Sequence, residues 1–452
     1  MRWSGAETAP RTGAAGRYEA LMTDDQESFC VATRAYTDAS VFVEEMRGIF
    51  ERTFVYVGHE SELQHEGDYK TARIARCPVI VCRDQSGTVR VFVNACRHRG
   101  NAICREPAGT TRHFRCPYHG WLYALDGRLL GAPDRESFPE SVLRRAGGLI
   151  PAAAVAVYRG LIFARLRGQG SSDDFSEFLE PIRQYVDIWA DRSIGGEYVL
   201  RQPHRYSYPG NWKLQMDNSL DGYHGPYVHE SGFAALAYRR GDGPPTSPQR
   251  ARRSRSGDEQ FLGFAKSAGA FSAGFPRGHG LTHVPHDLGS GLVGITRLSD
   301  DVYEEYVSAL LSRYGKERTK ELVAGRHLLI FPNLILMDCN IRVVHPISVD
   351  FSYVESYFIE MSGVDAAVNA QRLRDLQARL GTAGFIGTDD VEMFSGNQTG
   401  LAGLEEIYFS KGIQREVESD GSRRGSPSDE VPQRAFYREW SRLMGTAADE
   451  SS

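Results

Sequence analysis

Long apolar runs are missing from this chain of 452 residues. No stretch approaches the roughly 20 consecutive apolar side chains that a membrane-spanning helix needs. Cysteine is scarce, at seven, which argues against a disulfide-stapled scaffold and fits a reducing cytoplasm. A large excess of one charge is also missing. The net charge of −5 gives no reason to expect nucleic acid or an anionic membrane as a partner. Met1 to Asp25 lack the apolar core of a secretory signal, so a cytoplasmic location is expected. No internal repeat interrupts the chain.

What remains is ordinary for globular proteins, 41% hydrophobic and 25% charged, at a length suited to about two to three domains. Residues 1–35 are small and polar and are expected to be disordered. Residues 36–50 read as a helix packing on the catalytic part, because Phe42, Met46, Ile49 and Phe50 recur at helical spacing. From 51 to 166 short β-like runs dominate. Pro78–Cys82 and Thr88–Val93 flank Gln85-Ser86-Gly87 as a hairpin. Residues 167–412 mix helices and strands, with Phe175–Ala190, Asn211–Tyr223 and Val364–Leu380 helical and His327–Met337 and Ser352–Met361 β-like. Arg239–Asp258 reads as a polar surface loop or lid. Residues 413–452 form a polar tail with a short helix near Arg434–Met444.

Two local clusters carry chemistry. Cys96-Arg97-His98 and Cys116-Pro117-Tyr118-His119 are separated by seventeen residues. Two thiolates and two imidazoles in this order suit a [2Fe–2S] cluster with two Cys on one iron and two His on the other. A structural zinc site also takes Cys and His, but its pairs usually run Cys-Cys then His-His. Gly100 and Gly120 follow the pairs and permit tight loops. Cys104 lies near the first loop, whereas the second offers Tyr118 and no further Cys, so no disulfide is expected to join them. Cys30, Cys77, Cys82, Cys104 and Cys339 read as ordinary thiols.

The second cluster runs from Asn211 to His229. His224 and His229 are separated by four residues, with Asp217 and Asp221 just upstream. Two imidazoles plus one carboxylate on one face of iron(II) leave the other face open. That spacing does not place both rings on one side of a straight helix, and Pro226 would break it, so a kink is expected. The third ligand is expected at Asp390. Its neighbour Asp389, with Glu392 three residues later, reads as a helix capping box.

Together these motifs resemble the large (alpha) subunit of Rieske non-haem iron aromatic ring-hydroxylating dioxygenases. The resemblance rests on the two Cys/His loops, on Asp217-Asn218-x-x-Asp221-x-Tyr223-His224-x-x-x-x-His229 and on Asp389-Asp390-x-Glu392. It covers about residues 36–410. It implies an α+β fold: an N-terminal all-β Rieske domain and a C-terminal helix-grip catalytic domain, an antiparallel sheet around a long helix. It implies Cys96, His98, Cys116 and His119 as cluster ligands and His224, His229 and Asp390 as ligands of one Fe(II). Asp221 would bridge His224 to His119 of a neighbouring chain. NAD(P)H would act indirectly, through a flavin and iron–sulfur reductase, with or without a ferredoxin. The assembly would be a homotrimer or α3β3 with a small subunit. Asp217 stands where Glu is common in the family, and Gly225-Pro226 is unusual.

Asn-Trp-Lys-Leu-Gln from Asn211 on, with Asp221-Gly222-Tyr223-His224, is similar to the benzoate, toluate and anthranilate group. That implies cis-dihydroxylation of an aromatic carboxylate. A carboxylate in a half-apolar pocket wants a bidentate arginine, and Arg297, Arg326 and Arg342 are candidates, with His279 and His283 as further pocket residues. A Rieske monooxygenase shares every metal ligand and stays open on these residues. A non-catalytic electron carrier would not need the second cluster.

Overall fold

The computed structural model describes residues 21–168, 174–196, 198–232, 268–381, 384 and 386–449. Residues 55–165 hold three small antiparallel sheets. The largest runs in the order Val89–Val93, Cys77–Arg83, Asp68–Ile74, Ala108–Thr110. Its hairpin turns at Gly87, whose φ is +80°, while Asp84 Oδ1 accepts from the backbone N–H of Ser86 and Thr88. Val79 to Cys82 are all buried, because both faces of this strand are covered.

The catalytic part is built on a ten-stranded antiparallel sheet. Its central strands are Phe351–Met361, Asn340–Ser348, Leu334–Leu336, Gly325–Ile330 and Gly280–Val284. Side chains alternate between faces along each strand. Leu328, Ile330, Ile341 and Val343 face one core, with Trp189 of helix α1 (Arg183–Asp191) and Tyr306 and Leu310 of helix α2 (Asp300–Val323). Leu329, Ile335, Val344 and Val354 face the other. There they meet Trp212 and Met216 of helix α3 (Trp212–Ser219) and Phe436, Tyr437 and Trp440 of helix α4 (Val431–Asp449). A sheet gripping helices beside a separate β domain is the α+β arrangement expected. Among the described residues, no helix is long and apolar enough to cross a membrane.

Both chain ends depart from expectation. Within the stretch expected to be disordered, Met22–Asp24 and Phe29–Ala32 pair as strands, and the second also pairs with Glu406–Tyr408. Phe29 and Val31 are fully buried there. Tertiary pairing supplies what this short segment lacks locally. Residues 1–20 lie outside the described residues, as does the expected loop Arg239–Asp258. The polar tail from 413 is also structural. Val417–Ser419 and Ser422–Gly425 extend the large sheet, and Tyr437 and Trp440 of α4 are fully buried. Arg442 and Thr446 lie on the exposed face of α4, while Gln433, Arg434 and Ser441 are buried with the aromatic residues, and composition averaged over both faces conceals the inner one. Phe175–Ala190 is two helices, Asp174–Leu179 and α1, with a 3-10 turn containing Pro181 between them. The helical stretch α2, broken at Gly315 where φ is +75°, has no counterpart in the sequence reading.

Candidate metal centres

The two Cys/His loops have the same local geometry. Gly100 N–H donates to Cys96 O at 2.9 Å, and Gly120 N–H to Cys116 O at 3.0 Å. Both glycines have positive φ, +76° and +72°, which an L side chain adopts only with strain. The loops bring Cys96, His98, Cys116 and His119 to one tip. The cysteines are buried and the His98 and His119 rings lie 4.7 Å apart. His98 stacks on Trp121 at 5.1 Å, and its buried Nδ1 has no hydrogen-bond partner among the described residues. Tyr123 Oη lies 3.2 Å from Cys96 Sγ and accepts the Arg97 N–H. Two thiols and two imidazoles gathered at one tip fit a [2Fe–2S] cluster with two Cys on one iron and two His on the other.

Helix α3 is capped by Asn211, whose side chain accepts from Lys213 N, and ends at Ser219. The chain turns at Asp221–Tyr223 and restarts as a short helix, Gly225–Val228, with Pro226 in its first turn. Pro226 therefore begins a helix; it does not kink one. His224 precedes this helix and His229 follows it, so their rings converge, 5.2 Å apart at 81°. Asp390 comes from the first turn of helix Gly387–Leu401. Its Oδ1 lies 3.5 Å from His224 Nε2 and 3.2 Å from His229 Nε2. Donor atoms of all three residues fall within 4.8 Å of one another. Burial pushes the Asp390 carboxyl up, but the His229 hydrogen bond and the charges of His224, His229 and Arg342 hold it below its usual value.

Each imidazole also has a carboxylate behind it. Asp221 Oδ2 lies 3.2 Å from His224 Nδ1, and Asp389 Oδ2 lies 3.6 Å from His229 Nδ1. Carboxylates in this position set the tautomer and the ring orientation of metal-binding histidines. Burial works against the charged form of His224, yet Asp221 raises its pKa overall. Asp389 is thus no N-cap: Ile386 occupies that position, without a side-chain cap. Asn218 Nδ2 donates to Asp390 Oδ1 at 3.1 Å and lies 3.2 Å from His224 Nε2.

The candidate pocket residues separate. Arg342 faces α3 and donates to Ser219 Oγ. Arg326 faces the opposite side of the sheet and pairs with Glu321. Arg297 is exposed and bonded to Ser290 O. His279 is held by Phe178 O and the Phe331 N–H, and His283 packs on Phe271, both away from the triad. His327, missed in the sequence, lies on the α3 side with Nδ1 3.1 Å from Ser219 O. A lone histidine on a strand carries no signal of this kind.

A thiolate–imidazole loop pair on one domain and a two-histidine, one-carboxylate face on another define an iron-dependent oxygenase with its own electron relay. Residues 53–151 match the Rieske [2Fe-2S] domain, and residues 196–446 match the ring hydroxylating alpha subunit (catalytic domain). The chain belongs to the ring-hydroxylating oxygenase alpha subunits. It is similar to the toluate 1,2-dioxygenase subunit alpha of Pseudomonas putida, 32% identical over 88% of this chain and 86% of that one. It is also similar to the anthranilate 1,2-dioxygenase large subunit of Acinetobacter baylyi, 29% identical over 84% and 79%. Naphthalene 1,2-dioxygenase from Rhodococcus sp. superposes with a TM-score of 0.75 at 28% identity, covering 92% of this chain and 94% of that one.

Proposed function

We propose that this chain, in the cytoplasm, uses dioxygen and two electrons to cis-dihydroxylate an aromatic carboxylate. The electrons come from NAD(P)H through a separate flavin and iron–sulfur reductase. The convergence of His224, His229 and Asp390 in a chain that also carries a Rieske domain supports this reading most strongly. The names of the toluate and anthranilate relatives support the substrate class.

Cys96, His98, Cys116 and His119 would hold the [2Fe–2S] cluster, and His224, His229 and Asp390 the Fe(II). When bound, the cluster supplies one-electron transfer and the iron supplies oxygen activation. The protein's own part is orientation. Asp221 stands behind His224 and Asp389 behind His229, and Asn218 donates to the Asp390 carboxylate. Asp221 also lines a groove of about 490 Å³ with Met393, Leu404 and Tyr408, all three exposed. We read this groove as the seat of a neighbouring subunit's Rieske domain, in an α3 or α3β3 assembly, with Asp221 reaching His119 of that neighbour.

Metal analysis tests the assignment. The purified protein should hold about three irons per chain. Asp390→Ala should hold about two, with an unchanged cluster spectrum and no turnover. Oxygen-18 incorporation into products of a benzoate, terephthalate, anthranilate and salicylate panel should give two labelled atoms per molecule. One labelled atom would make the chain a monooxygenase.

A further inference from the structure

We propose that Arg342 is the specificity residue that receives the substrate carboxylate, an assignment that rests on the aromatic-carboxylate reading above. Arg342 stands on the sheet strand Asn340–Ser348, and its side chain is on the α3 side. Only 4% of it is exposed. A buried guanidinium is costly unless an anion or a full set of acceptors meets it. Other buried arginines in this fold obey that rule. Arg192 pairs with Asp338, Arg326 with Glu321, Arg379 with Asp375 and Arg434 with Glu416. Arg372 donates to two carbonyl oxygens and to Asn369.

Arg342 is the exception. Among the described residues its guanidinium makes one hydrogen bond, Nη1 to Ser219 Oγ at a long 3.4 Å, and its buried Nε has none. It has no carboxylate partner within ion-pair distance among those residues. The side chains reached through its hydrogen bond are polar and uncharged. Ser219 is bonded to Gln215, Gln215 accepts from Tyr206, and His327 is kept neutral by burial. The site nevertheless adjoins the metal ligands. Arg342 donates to Ser219, and the residue before it, Asn218, touches His224 and Asp390. A planar cation that meets no anion among the described residues, one hydrogen bond away from the residue that follows Asn218, matches the two oxygens of an aryl carboxylate. A site built to pair a buried charge also rejects the uncharged analogue that leaves the charge unmet.

Binding of benzoate and of its neutral isostere benzamide to the anaerobic holoenzyme, followed by calorimetry, tests this. The parent protein should favour benzoate. Arg342→Met should weaken benzoate on the order of 100-fold while changing benzamide less than about threefold. Arg342→Lys should recover part of the benzoate affinity, and iron content should match the parent in both variants. Benzoate affinity unchanged in Arg342→Met would overturn the assignment. So would equal loss of both ligands, or loss of iron, since either makes Arg342 a structural counter-charge to Asp390. A parent protein that binds and oxidises neutral aromatics but no carboxylate of the panel would sink the substrate reading itself, and this assignment with it.

Discussion

Asp221 Oδ2 lies 3.2 Å from Nδ1 of His224, on the side of the ring opposite to Asp390. The carboxylate therefore orients the imidazole without competing for the atom that faces the metal position. It remains about a quarter exposed, so its outer side is open to a neighbour.

Asp221→Asn should leave iron content and the cluster spectrum intact while cluster oxidation slows at least about tenfold. Single-turnover spectroscopy after anaerobic reduction measures this. A normal oxidation rate would remove Asp221 from the electron route.

Tyr123→Phe should lower the cluster's midpoint potential on the order of tens of millivolts. Hydrogen bonds to cluster sulfurs raise the potential, and Tyr123 Oη is 3.2 Å from Cys96 Sγ. Protein-film voltammetry would show the shift.

Glu45 and Lys213 form a fully buried ion pair, and Glu45 also accepts from the indoles of Trp212 and Trp440. Glu45→Ala should cost about 3–5 kcal/mol, because it strands the Lys213 charge inside the protein. The double variant Glu45→Leu with Lys213→Met should be milder than the single one. Urea denaturation compares them.

Asp217 is half-buried, accepts from Tyr36 and Tyr437, and desolvation pushes its carboxyl up to about 7. Its ordinary unfolded value is about 3.9. Between these pH values the folded protein holds a proton that the unfolded chain has lost. Stability from this group is therefore complete below pH 4 or so and declines as pH rises through about 7. Asp217→Asn should abolish that decline. The melting temperature of the parent should fall relative to the variant between pH 5 and pH 8, and parallel curves would refute it.

The candidate metal donors were legible because each motif is local. Cys96 with His98, Cys116 with His119, and His224 with His229 lie within a few residues of each other, and their chemistry follows from residue type and spacing. The hairpin at Gly87 and the helix at Trp212 were legible for the same reason. Asp390 was expected as a carboxylate in the first turn of a helix, and the family resemblance implied the same residue, though spacing alone does not link it to His224. Tertiary structure decided the rest. Folding brings the Gly387–Leu401 helix against the His224–His229 segment and turns Asp389 from an expected cap into a support for His229. Packing against Glu406–Tyr408 makes Phe29–Ala32 a strand, and burial of Tyr437 and Trp440 makes the polar tail part of the core. Arg297, Arg326 and Arg342 are equivalent as letters. Only the sheet face each occupies, and the anion each does or does not meet there, separates a structural arginine from one with its donors still open.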